Sequence, residues 1–120
     1  MNREILKQSG IDYDRGVKRF LGDVDLYEEV LLDFINDTAL SEAKKAFERE
    51  DYKSLTERIH ELKGSSGNTD MTALFQATSA LVVLLRSGAY TREQVKAGLN
   101  QVEEACKIAA DGIKRAQEQR

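Results

Sequence analysis

The chain has 120 residues, no proline, 7% aromatic and 32% charged residues, and a formal net charge of −3. That length predicts one core and one domain spanning 1–120; the composition favours helices over sheet, and charges of both signs with no basic stripe give nucleic-acid binding no support. The longest apolar run, Ala80–Leu85, is too short to cross a bilayer, and Met1–Lys7 has no apolar signal core, so a soluble, cytoplasmic, monomeric protein without a membrane role is expected.

In chain order, a short first helix is predicted over about Asp12–Leu21, ended by Gly22. Asp25 is placed to cap a second helix, with Glu28 three residues on in capping-box position. Leu26, Val30, Leu31, Phe34 and Ile35 form its apolar face. A third helix, around Leu40–Glu50, carries Leu40, Ala43 and Phe47, and is nearly continuous with the second because Asp37-Thr38 is a weak break. Asp51 caps a further helix in which Leu55, Ile59, Leu62 and Ser66 are spaced to face a core, ending near Gly67-Asn68. The next runs from about Asp70 to Arg86, with Leu74, Ala77, Leu81 and Leu84 or Leu85 inward and Ser87-Gly88 closing it. Thr91 and Gln94 make a capping box for the last helix, lined by Val95, Leu99, Val102, Cys106, Ala109 and Ile113. Cys106, the single cysteine, falls on that stripe and is expected to be a buried structural thiol. The pattern predicts an all-α, antiparallel up-down four-helix bundle with an additional short N-terminal helix.

His60 is the single histidine. It lies about 100° around the helix from Ile59, at the border of the apolar stripe or outside it. Lys63, Gly64 and Gly67 follow at i+3, i+4 and i+7, on the same face. Helical side chains lean toward the N-terminus, so one at position 64 would hang over the imidazole. Gly64 has none, at a cost of about 1 kcal/mol against alanine. Two glycines beside one histidine predict a surface cleared so that something large can reach the ring. Glu57 at i−3 and Thr56 at i−4 are each placed to bond Nδ1 and leave Nε2 as nucleophile, with water a third candidate.

Other chemistries fit less well. Glu57-Arg58-Ile59-His60 has the Glu-x-x-His spacing of di-iron bundles, but such sites need a second run and this chain has no second histidine. Ser65 and Ser66 lack the base-and-orienter arrangement of a hydrolase. No glycine-rich phosphate loop opens a helix, so self-phosphorylation from ATP is not expected.

The run His60, Lys63, Gly64, Ser65, Ser66, Gly67 resembles the signature of the histidine-containing phosphotransfer (HPt) family. Upstream, Gly10-Ile11-Asp12, Gly16, Phe20-Leu21-Gly22-Asp23, Leu26-Tyr27, Leu31 and Phe34 are similar to its N-terminal pattern. The chain departs at Asp70, where the family often has glycine, and at Leu81–Leu85, where it often has a Leu-Glu pair. An aspartate tolerates the turn conformation and could also cap the next helix.

The resemblance implies a phosphocarrier in a multistep phosphorelay. His60 would accept a phosphoryl group from a receiver-domain aspartate or a histidine or hybrid kinase, and pass it to another receiver. Lys63 would stabilise the phosphoryl oxygens, and Mg²⁺ would reside on the partner receiver domain, with no cofactor or metal here. Gly64 and Gly67 would lie under the partner. Phe20 and Leu21, apolar and not needed for four long helices, either join that docking surface or seal the end of the core. The alternative function is a helical interaction module that binds a receiver or other partner without carrying phosphate.

Overall fold

Short polar side chains set where the helices begin. Asp12, Asp23, Asp51 and Thr91 each accept a hydrogen bond from the backbone N–H three residues on, at 3.0–3.1 Å, covering a donor that the helix cannot satisfy itself. The structure, a computed structural model, describes residues 1–119. Its helices are α1 (Arg3–Gln8), α2 (Tyr13–Arg19), α3 (Val24–Phe34), α4 (Ala39–Glu48), α5 (Tyr52–Asn68), α6 (Thr72–Ser87) and α7 (Arg92–Glu118).

These make the expected all-α, up-down four-helix bundle. Its first arm is α3 followed by α4, interrupted at 35–38, where Asp37 accepts a hydrogen bond from the Ala39 N–H at 2.7 Å. The arm runs antiparallel to α5 and to α7: Glu42 of α4 pairs with Arg58 of α5 at 3.3 Å, Lys44 with Glu103 of α7, and the Phe47 ring lies under Arg92. The remaining arms are α5, α6 and α7. Leu55, Ile59, Leu62, Leu74, Leu81, Val95, Val102 and Ile113 are at most 1% exposed between them. Each large apolar side chain so buried contributes roughly 2 kcal/mol. The run Leu81–Leu85 is mostly interior: Leu81, Val82 and Leu85 are buried, while Val83 faces outward. Cys106 is buried too, beside an apolar cavity of about 190 Å³ lined by Phe34, Ile35, Leu40 and Leu62. Burial first, then the nearby Asp37 and Glu103, push its thiol up to about 12. No helix among the described residues is long and apolar enough to cross a membrane.

The N-terminal end differs in detail from the sequence expectation. The short helix predicted around Asp12–Leu21 is α2, and it is preceded by α1, a further short helix capped by Asn2. Asp25 does not cap the helix after it. Leu21 and Gly22 have φ of 58° and 83° and turn the chain early enough for Asp23 to cap α3, leaving Asp25 in the first turn. Leu26, expected inside, is 45% exposed, and Tyr27 is the buried residue. A Cβ on Gly16 would overlap the Tyr27 ring, so glycine there lets α2 lie directly on α3. Asp70 holds the turn after α5 in the left-handed region, φ 54°, but does not cap α6. That helix has no side-chain cap, and the Asp70 carboxylate turns instead to Arg19 of α2.

Candidate functional site

Along α5 the stripe Leu55, Ile59, Leu62 and Ser66 is buried against the bundle. The 100° step per residue then carries His60 out to solvent, and it is exposed. Asp51 fixes the start of this helix twice, accepting from the Ser54 N–H at 3.1 Å and the Ser54 hydroxyl at 2.8 Å; both bonds hold its carboxyl below the usual range. The imidazole therefore stands on a rigid, well-capped rod, reachable from outside.

Gly64, one turn on, is exposed, and a Cβ built there meets nothing within 4 Å. Among the described residues no neighbour requires a glycine at that position. Gly67 is different. A Cβ there would lie 3.0 Å from two carbons of the Phe75 ring of α6, so its missing side chain is used internally, to seat Phe75. Lys63 is half-buried on the same side of α5. The two carboxylates that precede it on the helix, Glu57 and Glu61, are both engaged by Arg58, at 3.7 Å and 3.1 Å.

Neither side chain offered for Nδ1 reaches it. Thr56 donates its hydroxyl to the Tyr52 carbonyl at 2.7 Å, and Glu57 faces Arg58. The group at Nδ1 is Arg86, whose Nη2 is 3.5 Å away, at the outer limit of a hydrogen bond. A guanidinium only donates, so Nδ1 accepts and a neutral ring carries its hydrogen on Nε2. Arg86 sits in the last turn of α6. Phe75 and Arg86 of α6 thus both border the histidine face. The sequence spacing of α6 places them on one stripe, but only the register between α5 and α6 reveals what they touch.

Phe20 and Leu21 part company. The Phe20 ring packs at 5.3 Å from the Tyr27 ring and belongs to the edge of the core. Leu21 is 95% exposed, so it seals nothing. Val24 and Leu26 beside it are also exposed, at 39% and 45%.

The Hpt domain family model matches residues 29–112, from α3 through the whole histidine helix to late α7. No curated protein and no solved structure matches the chain.

Proposed function

Since the chain belongs to the Hpt domain family, whose role is histidine phosphotransfer in phosphorelays, we propose that His60 is the phosphoryl-carrying residue and that its partners are receiver domains and the kinases that feed them. The observation that carries the reading is the pair His60 and Gly64: an exposed imidazole beside a helical glycine with open space where its side chain would stand. Nothing among the described residues benefits from that glycine, and a receiver reaching over the ring would.

The step asks little of this chain. Neutral imidazole is nucleophilic near pH 7 without a base beside it, and phosphoryl transfer depends mostly on positioning and charge neutralisation. The Nε2 lone pair attacks phosphorus, the bond from phosphorus to the receiver's aspartyl oxygen breaks, and that electron pair leaves with the carboxylate. The attacking tautomer carries its hydrogen on Nδ1, so Arg86 has to let go of Nδ1 before Nε2 can attack. The exposed guanidinium is then free to turn toward the phosphoryl oxygens, alongside the Lys63 ammonium. Gly64, Gly67 with its seated Phe75, and Leu21 with the half-buried Phe20 behind it make up the docking surface in this reading. Transfer to a second receiver is the same step reversed.

The test is incubation with receiver domains phosphorylated by acetyl phosphate. The chain should acquire an acid-labile, base-stable label, and His60→Gln should acquire none while melting at nearly the wild-type temperature. Full labelling of His60→Gln would overturn the assignment. Stable receiver binding without any label would point to the interaction module instead.

A further inference from the structure

We propose that Asp70 and Arg19 form a latch that fixes α2 across the turn following the histidine helix, making them positioning residues for the receiver-docking corner at Leu21. This rests on the reading of His60 given above.

Both ends of α2 are fastened to one residue. At its start, the backbone N–H of Asp12 donates to the Asp70 carbonyl at 2.9 Å. At its end, Arg19 donates through Nε to Oδ2 of Asp70 at 2.9 Å and through Nη2 to Oδ1 at 3.2 Å. Two parallel bonds from a planar guanidinium fix direction as well as distance. Arg15 adds a looser cation, its Nε 3.7 Å from Oδ1. The Asp70 side chain is 4% exposed, so this carboxylate is committed to the pair. Behind α2, the Tyr27 hydroxyl donates to the Thr69 carbonyl at 2.7 Å, joining α3 to the same turn.

The backbone at Asp70 makes the arrangement informative. At φ 54° a glycine pays no Cβ penalty, and an aspartate tolerates the region at a small one. What aspartate adds at this position is the carboxylate, and the carboxylate goes to α2. The chain turns directly after Arg19 into Phe20 and Leu21. Leu21 holds its own left-handed φ of 58° and is 95% exposed. An apolar tip in that conformation, left almost fully exposed among the described residues, has its direction set by the latch behind it. The latch closes two residues past the end of α5, and His60 lies about 12 Å back along that helix. An ordinary receiver footprint, about 800 Å² per partner, is wide enough to span that length of helix.

Asp70→Gly is the discriminating variant, because it removes the carboxylate while relieving the backbone. It should fold and melt within a few degrees of wild type. Amide exchange over Arg15–Leu21 should accelerate about tenfold or more while α5 stays protected. With an acetyl-phosphate-charged receiver as probe, KM should rise about fivefold to tenfold with the saturating rate within about twofold. Asp70→Asn, which keeps the turn but not the charge, should behave alike. Leu21→Ala should raise KM in the wild-type background and add little in the Asp70→Gly background. Independent sites would instead add. Unchanged exchange in α2, a wild-type Asp70→Asn, or full additivity with Leu21→Ala would each overturn the latch. If no receiver labels wild-type His60, the phosphotransfer reading falls, the exchange measurement still decides whether α2 is latched, and the positioning role falls with the reading.

Discussion

Gly64 and Gly67 stand on one face of α5, three residues apart, and in sequence they carry the same message. In the structure they differ. Around Gly64 there is open space, whereas at Gly67 the Phe75 ring is already as close as an added Cβ would tolerate. Each glycine costs a helix about 1 kcal/mol. At Gly67 that cost is offset within the fold, by the packing of Phe75 between α5 and α6. At Gly64 no contact among the described residues offsets it, a gap that the receiver proposed above would account for. A helical glycine becomes evidence for a partner only after its neighbours have been inspected.

The strongest way to break this contrast is to fill the open site. Gly64→Leu should fold as wild type yet slow phosphoryl acceptance about 100-fold, since misplacement of reacting groups by an ångström is worth that much. Transfer at the wild-type rate would remove the steric argument altogether. A second, smaller effect separates the two glycines by stability. Gly64→Ala should gain about 1 kcal/mol, raising Tm by roughly 4 °C. In Gly67→Ala the same propensity gain is cancelled by displacement of the Phe75 ring, leaving Tm near wild type. Pairing that change with Phe75→Ala should release the gain, measured against Phe75→Ala alone. Equal shifts for the two single alanine variants would show that the Phe75 contact is immaterial.

Charge effects beside His60 should be milder. Lys63→Ala is expected to lower the transfer rate several-fold, with the defect shrinking as ionic strength rises, because a half-exposed ammonium is screened by salt. Complete loss, or indifference to salt, would contradict that role. The smallest change is one of tautomer. In Arg86→Ala the ring loses its donor at Nδ1, and ¹⁵N spectra of His60 should show hydrogen moving from Nε2 toward Nδ1. Identical spectra would mean that Arg86 does not hold the ring.

What could be read from the sequence follows from which interactions are local. The inward stripe of α5 and that of α7 repeat at the helical period over several turns, and all their expected members are buried. Thr91 and Gln94 form the capping box that their spacing announces. α1 was missed because six residues are too few to display a period. The boundary of α3 moved because two consecutive positive φ values, one on a leucine, are not visible in residue types. Tyr27 was missed as a core residue because its polar tip lowers its hydrophobic score. In place, that tip reaches the Thr69 carbonyl, 42 residues away. Arg86 beside His60 and Phe75 beside Gly67 depend on the register of α6 against α5. Asp70 was noticed as an exception, but its partner lies 51 residues upstream, beyond any local pattern.

Cys106 offers a consequence of a different kind. Its sulfur lies where the break in the first arm faces α7, and burial pushes its thiol up to about 12, so near neutral pH the native protein holds it as the unreactive thiol. A thiol reagent added to the native protein therefore waits for the bundle to part at that seam. The rate of modification becomes a clock for how often the α3–α4 arm lifts from α7. The chain thus carries a single built-in reporter of its own breathing, on the side away from the stripe where Arg86 and Phe75 border His60.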